Sequence, residues 1–140
     1  MSKVFIGMTT YNGARFISEA IESLLAQSFP NFTLFISDDT STDNTKEICE
    51  MYAKKDPRVI YFRQKKNIGM FPNFKFVLDS ASGDYFMWAS HDDLWEKDFI
   101  KVCLENIEQK KVDVAMTVIA NVDSYGRALS ELTELTTLSG

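Results

Sequence analysis

Two acidic pairs, Asp38-Asp39 and Asp92-Asp93, follow apolar runs in this chain of 140 residues. The runs are Phe32–Ser37 and Tyr85–Ala89. A third polar group, Thr9-Thr10-Tyr11-Asn12-Gly13, follows the apolar Lys3–Met8 run, and Arg63 follows Arg58–Phe62. Carboxylates are hard oxygen ligands and suit Mg2+ or Mn2+. One or two of them, with the oxygens of a diphosphate, complete an octahedral shell. A carboxylate also accepts hydrogen bonds from a ribose diol or a base N–H. Tyr11 is of the right type to stack on a base. The chemistry expected of these residues together is the holding of a metal–nucleotide. A single exposed pair often does no more than solvate a turn, so the weight lies on all four groups sharing one rim.

Other chemistries lack their residues. There is no G-x-G-x-x-G and no G-K-[ST], which removes the dinucleotide and P-loop signatures. His91 is the only histidine, leaving little for a zinc hydrolase or a Ser-His-Asp triad. Asp39, Ser41, Asp43 and Glu50 partly mimic a calcium loop. Asn44 stands where its turn needs glycine, and a strand precedes it where a helix should. The net charge of −5, from 15 basic and 20 acidic residues, disfavours nucleic acid as a partner.

The elements that must position these groups alternate along the chain. Lys3–Met8, Phe32–Ser37, Arg58–Phe62, Tyr85–Ala89 and Val112–Ala120 read as buried strands. Between them lie helical patterns. The first carries Phe16, Ile17, Ala20, Ile21, Leu24 and Leu25 on one face. The second has Ile48, Met51 and Tyr52 inside, with Asn44 and Glu47 resembling a capping box. A third covers Asn73–Ala81. The fourth, Lys97–Gln109, turns Phe99, Ile100, Cys103, Leu104 and Ile107 inward. This order predicts an α/β fold, a mostly parallel sheet with helices on both faces. Such sheets bind ligands at the carboxyl ends of their strands, where the polar groups lie.

The length suits one domain, burying roughly 68% of its unfolded surface. The expected domain is 1–128, with 129–140 an irregular tail. Cys49 and Cys103 form no CxxC and sit in apolar segments, as reduced, buried thiols of a cytoplasmic protein would. No signal-peptide pattern opens the chain, and no apolar run approaches the length of a membrane span.

The ordered motifs resemble a family 2 glycosyltransferase of the GT-A fold. They are Met8–Gly13, Ser23–Phe32, Ser37–Thr45, Asn67-Ile68-Gly69 with Asn73, Ser82–Tyr85 and Asp92-Asp93. The likeness covers residues about 3 to 127. It implies an inverting transfer of sugar from a nucleotide-diphospho-sugar, most often a UDP-sugar, to an acceptor hydroxyl of a glycan or cell-envelope polysaccharide. Position by position, Thr9, Tyr11 and Asp39 would contact the base, with Asn12 and Asp38 in the same nucleotide-binding loops. Arg63 and Lys66 would approach the phosphates. Asp92 would face ribose and metal, and Asp93 would ligate Mn2+ or Mg2+. The acidic motif departs from the family pattern at Ser90, where many relatives carry Asp.

The resemblance also implies a catalytic base in a further segment, and neither Asp113, Asp123, Glu131 nor Glu134 matches its place. The chain is therefore expected to be the donor-binding part of a longer enzyme, truncated before the acceptor-binding part and inactive alone. A glycan or lipid-linked acceptor, peripheral membrane association of the full-length protein and a homodimer formed through an exposed sheet edge are the partner expectations. The alternative is a non-catalytic nucleotide-binding module. A receiver-like domain would need its acidic pair after strand one and a Lys after strand five. A dehalogenase-like phosphatase would need D-x-D-x-[TV], which is absent.

Overall fold

The computed structural model describes residues 2–116 and 120. The backbone divides into two compact units, residues 1–99 and 100–140. In the first, the order is β1 (Val4–Thr10), α1 (Ile17–Leu25), β2 (Phe32–Asp38), α2 (Thr45–Lys55), β3 (Val59–Arg63), α3 (Met70–Asp79) and β4 (Tyr85–Ala89). Helix α4 (Phe99–Lys110) belongs to the second unit from its second residue on, and its Ile100 and Leu104 are buried.

All strand pairs are parallel, in the order β3-β2-β1-β4. Central β1 is buried at nearly every position, so it reads as a continuous apolar run and not an alternating one. The crossovers β1–α1–β2 and β2–α2–β3 run in one direction and lay α1 and α2 on one face. The β3–α3–β4 crossover returns past β1 and lays α3 on the other. Ile6, Met8, Ile17, Ile21, Leu24, Leu34 and Ile36 are fully buried. Under α3, Phe5, Phe35 and Val77 form a second cluster with Phe76 and Phe86. A Cβ on Gly7 would lie 2.5 Å from Val77 Cγ1, so glycine there lets α3 close onto β1. The GT-A-type fold expectation holds in this parallel, two-faced sheet.

Several expectations need correction. Residues 112–116 and 120 belong to no strand, and Val114 and Met116 are exposed, without the burial a parallel strand needs. The rest of the expected fifth strand lies outside the described residues, as does the tail 129–140. Helix α3 starts at Met70, three residues earlier than read. Pro72 sits in its first turn, where a missing N–H costs nothing. The inner face of α2 is Thr45, Cys49 and Tyr52, and Met51 is exposed. Phe16 precedes α1 and is exposed. In α4, Cys103 is only part-buried.

Asn44 makes no side-chain cap. Asp43 does that work, accepting from Thr45 N at 3.0 Å and Thr45 Oγ1 at 2.5 Å. Burial pushes the Cys49 thiol up to about 12, which keeps it protonated. Among the described residues no helix is long and apolar enough to cross a membrane.

Candidate functional site

The sheet order reverses between β1 and β4, since the chain leaves β1 toward β2 and later returns to its other side. A crevice opens at the carboxyl ends of strands at such a point. Here it is a cavity of about 570 Å³ whose walls include Thr9, Thr10 and Tyr11 after β1 and Asp39 after β2. Ser90, His91, Asp93 and Trp95 follow β4, and Asn67, Gly69, Met70, Asn73 and Phe74 come from α3 and the loop before it. The size is that of a small-molecule site.

Asp39 is 4% exposed. Its two carboxylate oxygens accept from Ile68 N at 2.7 Å and Gly69 N at 2.9 Å. Asn67 Nδ2 donates to its carbonyl at 3.1 Å, and its own N–H donates to Thr10 O at 2.9 Å. The side chain thus clamps the 67–69 loop to the end of β2. Ionised carboxylates have about four lone-pair sites, so two remain for a ligand donor. Next to it, Ser37 Oγ donates to Asn73 Oδ1 at 2.6 Å, and Asn73 Nδ2 donates to Ser37 O at 3.1 Å. This buried pair fixes α3 against the sheet.

Asp38 is placed differently. It is 0% exposed and does not line the cavity. Its Oδ1 accepts from Ser41 N at 2.8 Å and Ser41 Oγ at 2.6 Å, and its Oδ2 from Tyr61 Oη at 2.7 Å and Arg63 Nη1 at 3.2 Å. Burial and the Asp38 carboxylate together push the Tyr61 hydroxyl well above its ordinary range. Arg63 Nη2 also donates to Ser41 O at 2.9 Å. Asp38 and Arg63 therefore hold the rim together from inside, and neither meets the cavity.

Asn12 sits at φ 53, a conformation asparagine tolerates. Its Oδ1 accepts from Thr42 N at 2.8 Å, and its N–H donates to Ser41 Oγ at 2.9 Å. Asp43 Oδ2 accepts from Ala14 N at 3.0 Å, so the loops after β1 and β2 are zipped together. Lys66 is exposed outside the cavity wall.

Of the residues singled out in the sequence, the structure brings Thr9, Tyr11, Asp39 and Asp93 to one cavity. Asp92 is exposed beside it and accepts a hydrogen bond from the Ser90 hydroxyl. Ser90 thus orients an acidic neighbour. Among the described residues no three His, Cys, Asp or Glu side chains gather into a metal cage. Asp92 and Asp93 are the hard-oxygen donors present, which fits an ion that completes its shell with ligand phosphates. The aromatic wall was not foreseen. Phe74 and Trp88 meet edge to face at 4.9 Å between centroids, and both line the cavity. They read as core because a helix face and a strand look alike whether they cover a core or a ligand.

Comparison with known proteins gives a consistent result. Residues 5–134 match the model of glycosyl transferase family 2. An uncharacterized glycosyltransferase of Rickettsia felis is 33% identical over 131 residues, covering 94% of this chain and 21% of that protein. The putative teichuronic acid biosynthesis glycosyltransferase TuaG of Bacillus subtilis is 32% identical over 108 residues, covering 77% of this chain and 43% of TuaG. The crystal structure of Staphylococcus aureus TarS residues 1–349 in complex with UDP superposes with a TM-score of 0.74 at 26% identity. It covers 92% of this chain and 38% of that one. The chain thus spans well under half the length of these relatives.

Proposed function

The chain belongs to glycosyl transferase family 2, and we propose that it carries the donor-binding part of an enzyme that moves sugar from a UDP-sugar to an acceptor hydroxyl. The observation that carries this is the cavity at the reversal of strand order, lined by Thr9, Tyr11, Asp39 and Asp93. TarS, crystallised with UDP, supports the choice of nucleotide.

In this reading Tyr11, 49% exposed, stacks on the base. Asp39, held rigid by its two loop amides, accepts from a base N–H with a remaining lone pair. Asp93 and Asp92 supply oxygen ligands to Mn2+ or Mg2+. The ion, when bound, would neutralise charge on the departing nucleoside diphosphate. The reaction inverts the anomeric carbon by a single displacement, and the base lies in a part of the enzyme beyond these elements. The acceptor is a growing glycan or envelope polysaccharide, supported by TuaG's role in teichuronic acid synthesis. The enzyme works in the cytoplasm, where UDP-sugars are made.

Calorimetric titration with UDP, with and without Mn2+ and with GDP as comparison, tests the reading. UDP should bind more tightly with Mn2+, and Asp93→Ala should remove most of that gain. If neither nucleotide binds, or if Asp93→Ala binds as well as the unsubstituted chain, the donor-site reading fails.

A further inference from the structure

The wall of the cavity contains a buried group with an unmet need. Thr10 is 3% exposed and its hydroxyl has no hydrogen-bond partner. Water cannot serve it there, and an orphaned buried hydroxyl is costly. Its surroundings are set by Gly13. The point that a Cβ on Gly13 would occupy is 2.6 Å from Thr10 Oγ1 and 2.7 Å from His91 Cδ2, with His91 Cγ at 3.2 Å. The hydroxyl and one edge of the imidazole therefore border the same point, beside which only glycine fits. A half-turn about Cβ–Cγ exchanges Cδ2 for Nδ1 at that edge and leaves the outline of the ring unchanged. One orientation turns a carbon to the point that the unpaired hydroxyl also borders. The other turns an acceptor nitrogen to it.

We propose that Thr10 Oγ1 donates to Nδ1 of His91, and that this bond latches the Ser90–Asp93 loop to the end of β1 so that Asp93 is held at the cavity. His91 lines the same cavity as Asp93, from the loop that follows β4. The latch spans the place where the strand order reverses, joining the end of β1 to the loop after β4 beyond the last pair of their ladder, Met8 and Ala89. His91 and Thr10 are positioning residues: they act through the carboxylate two positions beyond the imidazole. This positioning role rests on the donor-site reading above, whereas the Thr10–His91 bond does not.

His91 is the chain's single histidine, so its ring nitrogens give one unambiguous set of NMR signals. They are recorded on the ligand-free chain at about pH 8, where an ordinary imidazole is neutral. The expected result is an Nε2-protonated ring whose Nδ1 accepts a hydrogen bond, a state lost in Thr10→Val and kept in Thr10→Ser. An Nδ1-protonated ring, or identical spectra for the unsubstituted chain and Thr10→Val, would overturn the bond.

Titration with UDP then reads the latch. Thr10→Val and His91→Ala should lower the Mn2+-supported affinity by about tenfold or more, as loss of a group orienting a metal ligand does. The metal-free affinity should fall much less than the Mn2+-supported one, and Thr10→Ser should retain most of the latter. Equal losses with and without Mn2+, or no loss in either variant, would overturn the positioning role. If the unsubstituted chain binds no UDP, the donor-site reading fails and the positioning role falls with it, while the ring spectrum still decides the bond.

Discussion

Adjacent carboxylates can have opposite duties, and Asp38-Asp39 is such a pair. The residues are neighbours at the end of β2, yet one is sealed under the rim and the other faces the cavity. Their types and spacing could not separate them, because consecutive strand residues point to opposite faces and the sequence does not say which face the site uses. What was legible was the acidic rim itself. Thr9, Tyr11, Asp39 and Asp93 meet at one cavity, while the buried Asp38 and the part-exposed Arg63 form a brace. Removing the Asp38 carboxylate leaves the Ser41 and Tyr61 donors without their acceptor. Asp38→Ala should therefore cost about 3 kcal/mol of folding stability, read by chemical denaturation. Asp39→Ala should cost less stability and weaken UDP binding more. The opposite ordering would return Asp38 to the ligand.

Helix boundaries show how far local rules reach. Asn44 stands at the cap position of α2 as expected, but its side chain makes no capping bond. Aspartate and asparagine are similarly good caps, and only the geometry shows that Asp43 reaches Thr45 N. Asp43 also accepts from Ala14 N, so it anchors α2 and the loop after β1 together. Burial alone would raise its carboxyl, but the bonds from Thr45 and Ala14 outweigh it and hold the pKa below the ordinary 3.8. A carboxyl depressed in the folded state stabilises above its unfolded pKa, and that contribution fades as pH falls through the folded one. Asp43→Ala should cost about 1 kcal/mol near neutral pH, the usual loss for a cap. The gap between variant and unsubstituted chain should close below the ordinary carboxyl range. A gap that stayed constant into strong acid would show that charge plays no part. The early start of α3 had a different cause: a proline that reads as a breaker is harmless in a first turn.

At the scale of the whole molecule, the alternation of strands and helices was readable, and with it the parallel sheet. Periodicity gives each strand but not its neighbours, so the order β3-β2-β1-β4, and hence the location of the crevice, came only with the structure. The expected fifth strand illustrates the limit, since Val112–Met116 is apolar enough to resemble a strand yet is not buried as one. If the ion takes its ligands from both Asp92-Asp93 and the nucleotide phosphates, as proposed, a thermodynamic consequence follows. Metal and nucleotide should each be poor ligands alone and good ones together. Linkage requires UDP to raise Mn2+ affinity by the same factor as Mn2+ raises UDP affinity, here about tenfold or more. Titrating Mn2+ into the chain with and without UDP checks this. Equal Mn2+ affinity in both would mean the ion does not share a site with the nucleotide.

The central position of β1 also bears on how the chain is made. Val4 pairs with Phe32 on one side and Tyr85 on the other. Of the four strands β1 is made first, yet it gains its second neighbour only when β4 has followed. Until β4 emerges, an apolar strand with an open edge waits on the nascent chain, a template for wrong pairings. The order of the sheet that builds the crevice thus leaves one flank of β1 open to misassembly while the later elements are being made.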